Sequence, residues 1–205
     1  MSLVEKLREE ILSGRRQPGS LLSQTELARA FGISRIPVRD ALQSLAAEKL
    51  VTIVPGKGAQ VITVSIDEIT EIYDLRIMLE VDLLRRSIEQ ASKDDDNDVK
   101  YAFDRSSLEA GRPGWSQGDW EFHAAIYRLA RRPKSLEIVR ELRTSCMLRI
   151  RQYQDLADDT PRWLDDHAAI VASFVARDGG AAASRLTEHL GAARSRLLAH
   201  MASAA

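Results

Sequence analysis

The 205-residue chain has a single cysteine, Cys146, only four histidines, and aromatic residues at 5%. One thiol excludes an intramolecular disulfide framework and suits a reducing cytoplasm. No apolar run approaches the roughly 18 residues that cross a bilayer. The opening stretch, MSLVEKLREE, is charged and helical in pattern, unlike a secretory leader. A membrane partner is therefore not expected. Neither sign of charge dominates, with 29 Lys/Arg against 30 Asp/Glu and a net charge of −1. What is present is an ordinary globular composition, 44% hydrophobic and 29% charged. The length fits one large domain or two small ones, with enough chain to bury a core unaided.

The near-zero net charge hides an asymmetry. Residues 1–64 carry 9 Lys/Arg against 6 Asp/Glu, whereas residues 65–205 carry 20 against 24. The smaller, basic segment hints at a polyanionic partner.

That segment has its own pattern. Val4, Leu7, Ile11 and Leu12 recur at helical spacing, and Gly14 stops the helix. QPGS reads as a turn. SQTELARAF is a short helix with Ser23 as its cap, Glu26 at the capping-box position, and Leu27 and Phe31 inward. Gly32 ends it. Ser34 caps a third helix with Val38, Leu42 and Leu45 on one face, and Pro37 falls in its first turn, where a missing N–H is harmless. VTIV, PGKG and AQVITV read as a β-hairpin. Three helices and a hairpin, with a short glycine turn between the second and third helices, make a winged helix-turn-helix over residues 1–64.

Residues 65–205 read as helix throughout. A long helix runs from Ser65 to about Ala91, with Ile69, Ile72, Tyr73, Leu79, Leu83 and Leu84 inward. KDDDND is a solvated acidic loop or a helix start, and helix continues to Ala110. GRPGWSQG reads as a loop. Ser116 and Asp119 open a helix through Arg131, which Pro133 breaks. SLEIVRELRTSCMLRIRQYQDL is a long helix with Leu136, Val139, Leu142, Cys146, Ile150 and Tyr153 inward. Thr160 caps a helix through Arg177, and Asp178 caps the last, to about His200. The expected fold is mainly α: a winged module followed by an all-α bundle of about six helices.

In a helix-turn-helix the second helix of the pair enters the major groove by its N-terminal residues. Here those are Arg35 and Arg39, at i and i+4 on one face. An arginine can pair bidentately with guanine O6 and N7. Ser34 and the free N–H groups at the helix start can hold a phosphate. Gly56 and Lys57 at the hairpin tip would reach an adjacent groove or backbone. The stretch PGSLLSQTELARAFGISRIPVRDALQSLAAEKLVTIVPGKGAQV resembles the DNA-binding domain of GntR-family bacterial regulators. The family pattern is roughly PG-x-x-L, E-L-A, S-R-x-P-V-R-x-A-L and a glycine in the wing. The resemblance implies that Arg35, Arg39 and Gly56 contact operator DNA, and Ser34, Pro37 and Lys57 are taken with them as candidate DNA-binding residues. Ile36 stands where a threonine is usual, and Thr25 where some members have a DNA-contacting arginine.

Three of the histidines lie on the apolar faces of three different helices: His123 with Phe122 and Ile126, His167 with Trp163 and Ile170, His189 with Leu186 and Leu190. A lone histidine so placed is usually a core residue with a hydrogen-bond partner. Asp119 one turn before His123 adds a carboxylate on the same face, and three imidazoles with a carboxylate suit Zn²⁺, Ni²⁺ or another first-row divalent ion. Residues 65–205 resemble the helical effector domain of the FadR subfamily, called FCD. Its metal-binding members carry D-x-x-x-H, then H-x-x-I about 40 residues on, then a final histidine 22 residues later. Asp119, His123, His167 and His189 match, and the resemblance implies that they bind the metal. LRIMLEVDLL resembles the subfamily's R-x-x-L-E signature and marks Arg76.

The expected function is a ligand-responsive transcription regulator, in the repressor sense, acting in the cytoplasm as a homodimer on a pseudo-palindromic operator in double-stranded DNA. Open metal positions would take a small organic acid effector, with Arg76 or Arg149 as a second charge partner. A metallohydrolase is the alternative, since open metal positions also activate water. The glutamate of an H-E-x-x-H motif is absent, and no further acid/base pair stands out, so an enzyme is not expected. A purely metal-sensing or structural metal domain is a third reading.

Overall fold

A computed structural model describes residues 2–63, 65–112, 115–147 and 160–203. Contacts divide the chain into a unit built on the first 65 residues, with which residues 144–147 are grouped, and a larger helical unit that begins at Ile66.

In the first unit, α1 (Leu3–Leu12) starts at a capping box, with Ser2 and Glu5 bonding each other's backbone N–H. α2 (Gln24–Phe31) is capped by the Ser23 hydroxyl and ends at Gly32, which takes φ 64°. That left-handed turn suits a residue without Cβ. α3 (Arg35–Ala47) follows after a short turn. Leu7, Leu42 and Leu45 are fully buried where the three helices meet. Each such side chain contributes roughly 1.5–3 kcal/mol by leaving water. Leu12, expected inward, is instead 37% exposed at the end of α1.

The wing is a three-stranded antiparallel sheet, not a two-stranded hairpin alone. β1 (Leu21–Ser23), β2 (Val51–Val54) and β3 (Gly58–Val61) run in the order β1-β3-β2, with Leu22 opposite Ala59. β1 is only three residues long, too short for alternation to announce it. Yet it buries Leu22 and exposes Leu21, as a strand must. β3 ends earlier than AQVITV suggested. It begins at Gly58, where an added Cβ would collide with the Leu22 carbonyl of β1 and where φ is 144°.

The second unit is all helix. α4 (Ile66–Gln90) packs chiefly on α9 (Gly179–Ser203), α5 (Lys93–Glu109) on α6 (Trp115–Tyr127), and α8 (Thr160–Val175) on α9. KDDDND is a helix start: Ser92 and Asp95 form a capping box, and the acidic first turn complements the helix dipole. Two boundaries differ from the expected ones. α6 begins at Trp115, so WSQG is helical, with Trp115 buried and Gly118 against the Ser106 backbone. α6 also ends at Tyr127 in a 3₁₀ turn (Arg128–Ala130), and Arg131 takes φ 53°. Pro133 does not break a helix; it starts α7 (Pro133–Met147), the position where proline fits best. Of the side chains expected inward on α7, Val139 and Cys146 are buried. Ile150 and Tyr153 lie outside the described residues. Asp178 accepts from the Ala181 N–H and caps α9. Among the described residues no helix is long and apolar enough to cross a membrane.

Candidate nucleic-acid interface and metal centre

On α3, Arg35, Pro37 and Arg39 are exposed, with Arg35 and Arg39 one turn apart on one face, while Val38 and Leu42 are buried. Among the described residues Arg39 has one ionic neighbour, Asp40 at 3.5 Å, and both side chains are more than 60% exposed. A contact that long and wet leaves the guanidinium available. Ser34 occupies the N-cap with extended backbone, is exposed, and makes no side-chain capping bond to the helix. At the wing tip Gly56 has φ 73° with open space around it, and Lys57 is exposed. The fold thus presents all six expected DNA-facing residues on the surface of the small unit.

In the helical unit, α6 supplies Asp119 and His123, α8 supplies His167 and α9 supplies His189. All four are buried. One ring nitrogen of each histidine lies within 4.8 Å of the other two. His167 Nε2 and His189 Nε2 are 3.3 Å apart. Asp119 Oδ1 lies 3.7 Å from His123 Nε2 and 3.6 Å from His167 Nε2. The i,i+4 spacing on α6 and the helix packing thus bring together the four residues that the sequence singled out.

His123 and His167 are neutral here. Burial, reinforced by Arg143, holds His123 well below the usual imidazole range. Burial and the neighbouring His189 push His167 down to about 3, against the pull of Asp119. The histidine–Asp119 contacts are therefore not ion pairs. Burial alone would raise the Asp119 carboxyl, but the Arg143 guanidinium outweighs it and keeps it low. Its Oδ2 accepts from Arg143, while Oδ1 faces the rings.

A second tier of partners surrounds this cluster. His189 Nδ1 lies 3.3 Å from the Asp166 carboxylate, so it carries the ring proton and leaves Nε2 bare. His123 Nδ1 faces the Tyr127 hydroxyl at 3.1 Å, which in turn donates to Glu80 at 2.7 Å. Burial, then Glu80, raise the Tyr127 phenol well above its usual value, so the hydroxyl keeps its proton. Arg76, also buried, donates to Glu80 at 2.7 Å. His123 Nε2 and His167 Nδ1 are buried with no hydrogen-bond partner among the described residues. An orphaned lone pair on His123, aimed at a carboxylate and two more imidazoles, fits a divalent cation and fits an apolar core poorly.

Glu80, Tyr127, Arg143 and Asp166 were not singled out by sequence. Tyr127 continues the Asp119–His123 face by one more turn and Glu80 sits four residues after Arg76, so spacing carried a signal for both. Arg143 and Asp166 reach the site only through the fold. Arg149 lies outside the described residues.

A family model described as bacterial regulatory proteins, gntR family, matches residues 2–61, and the FCD domain model matches residues 71–192. The chain belongs to the GntR family and carries an FCD domain. It is a DNA-binding transcription regulator, as are its GntR-family relatives. It is 28% identical over 198 residues to the HTH-type transcriptional repressor GlaR of Escherichia coli (strain K12), spanning 90% of this chain and 89% of that one. The gluconate operon transcriptional repressor of Bacillus licheniformis is 42% identical over 81 residues, 40% of this chain and 33% of that one. Among solved structures, E. coli McbR/YncC aligns with a TM-score of 0.74 over 97% of this chain and 96% of that one, at 19% identity, a likeness of fold.

Proposed function

We propose that this GntR-family regulator is a repressor of the FadR subfamily whose FCD domain holds a divalent metal, and that a small organic acid bound at that metal changes its affinity for DNA. Asp119, His123, His167 and His189 would be the ligands, with Zn²⁺ or Ni²⁺ suited to three imidazoles and one carboxylate. The observation that carries this reading is the convergence of three buried imidazoles, with Asp119 Oδ1 within 3.7 Å of Nε2 of two of them, His123 and His167. When bound, the ion supplies an electrophilic centre with positions left open for an oxygen ligand.

Charge supports an anionic effector. Without the ion, the buried Arg76 and the part-buried Arg143 balance the buried anions Glu80 and Asp119. A divalent ion adds two positive charges to a site that water scarcely reaches, and an organic acid restores the balance. Arg76 and Arg143 both act on Asp119 through space and would serve as charge partners for such a ligand.

Arg35 and Arg39 would read bases in the major groove, and Ser34, Pro37, Gly56 and Lys57 would sit against backbone or an adjacent groove. One winged module reads few base pairs, so the regulator is expected to act as a homodimer on a pseudo-palindromic operator. Repression follows the two relatives, both named as repressors. The test is metal analysis of the purified protein alongside its binding to operator fragments selected from genomic DNA. About one divalent ion per chain together with specific DNA binding supports the reading. DNA binding with no metal after metal-supplemented expression returns the histidines to the core.

A further inference from the structure

His123 Nδ1 lies 3.1 Å from the Tyr127 hydroxyl, one turn along the same helix. That hydroxyl donates to Glu80 Oε2 at 2.7 Å, and Glu80 Oε1 accepts from Arg76 Nε at 2.7 Å. Glu80 and His123 have no exposed surface, and Tyr127 and Arg76 have at most 5%. A hydroxyl has one proton to give. Tyr127 gives it to the carboxylate, which has none to return. The phenolic oxygen can then only accept from His123, so the imidazole carries its proton on Nδ1. Nε2 keeps a bare lone pair, and this is the buried atom without a hydrogen-bond partner that faces Asp119.

We propose that Arg76, Glu80 and Tyr127 form a buried hydrogen-bond relay that fixes the direction of this proton chain and so presets His123 as a metal ligand. The relay deepens the metal reading above and rests on it. The three side chains are positioning residues, acting through the ring and giving no atom to the ion. Arg76 sets the direction, because a guanidinium only donates and demands an oxygen opposite Nε.

The direction can be reversed without changing the shape. In Glu80→Gln, Arg76 requires the amide oxygen on its side. Its 2.7 Å bond outweighs Arg143 Nη1, which lies 3.8 Å from the other oxygen. The amide NH₂ then falls opposite Tyr127 and donates to it. Tyr127 turns its proton toward His123 Nδ1, and the ring proton moves to Nε2, the atom a cation needs. Tyr127→Phe cuts the chain and leaves the tautomer unfixed.

Two measurements on the full chain test this. Histidine ¹⁵N NMR of metal-stripped protein reads the His123 tautomer, and competition with a chromophoric chelator reads Zn²⁺ affinity. The relay predicts Nδ1–H in the wild type and Nε2–H in Glu80→Gln. It also predicts a loss of zinc affinity of roughly 10–100-fold in both variants. A merely structural role would lower thermal stability and leave the tautomer alone. An Nε2–H ring in the wild type, an unchanged tautomer in Glu80→Gln, or unchanged zinc affinity in both variants overturns the relay. If a variant does not fold, the wild-type tautomer decides. Absence of zinc binding by the wild type sinks the metal reading itself, whereas normal zinc binding with an unmoved tautomer sinks the relay alone.

Discussion

His167 Nε2 and His189 Nε2 lie 3.3 Å apart across α8 and α9. The Asp166 carboxylate holds the proton of His189 on Nδ1, so in the metal-free protein His167 must donate from Nε2. A cation between the rings requires that proton to leave or move to His167 Nδ1, a buried atom without a hydrogen-bond partner among the described residues. On the proposed metal reading, His123 and His189 are arranged for the ion beforehand, and His167 is the ligand that would have to adjust.

His167→Ala or His189→Ala is expected to abolish metal retention, since each removes a proposed direct ligand. Elemental analysis after gel filtration should fall from about one ion per chain to near zero, on the ligand count above. Full retention in both variants would place the ion elsewhere.

Stability should depend on pH in the metal-stripped protein. The folded His167 ring is pushed down to about 3 from an ordinary 6.5, and His123 is lowered as well. The unfolded chain therefore binds these protons first. Stability is full above about pH 6.5 and is lost as pH falls toward 3, by on the order of 1.4 kcal/mol per pH unit for each such ring. Urea midpoints should drop between pH 7 and pH 5.5. A midpoint that holds or rises over this range contradicts the buried, neutral rings.

Arg35→Ala and Arg39→Ala should each cost about 1–3 kcal/mol at the operator and relax base preference. Lys57→Ala should weaken binding to every sequence and reduce the salt dependence. Mobility shifts at several salt concentrations separate the two patterns. Unchanged operator affinity in both arginine variants would mean that α3 is not the reading helix.

The small unit was largely legible because its signals are local. Ser23, Gly32 and Ser34 mark helix ends, and the period of Val38, Leu42 and Leu45 marks a buried face. β1 was missed because a strand of three residues exists only through its pairing with β3. In the helical unit, the spacing of Asp119 and His123 put both on one face, but nothing local brings α8 and α9 to them. The loop expected over GRPGWSQG was partly wrong because glycine and tryptophan weigh against helix locally, while Trp115 gains a buried place beside Trp163, ring centres 5.0 Å apart. Arg143 and Asp166 were invisible because a charged residue on an ordinary helix face looks solvated until the fold buries it or finds it a partner.

The two wing glycines should respond differently. At Gly58 an alanine would strike the Leu22 carbonyl, which belongs to the strand pairing itself, whereas at Gly56 only the positive φ resists it. Gly56→Ala should cost about 1–3 kcal/mol or less, and Gly58→Ala more, with loss of the β1–β3 pairing seen by hydrogen exchange. Equal losses would mean that the wing yields to the added methyl.

The coupling between the buried cluster and DNA is tested most directly by operator affinity measured with and without a bound acid. Fluorescence anisotropy on a selected operator, with zinc-loaded protein and a titration of citrate and related organic acids, reads it. A coupling of ~1–3 kcal/mol is typical, so operator affinity should fall roughly 5–150-fold at saturation with the active acid. The acid should bind more weakly by the same factor when operator is present. An acid that binds the zinc-loaded protein with the same affinity with and without operator would contradict the account.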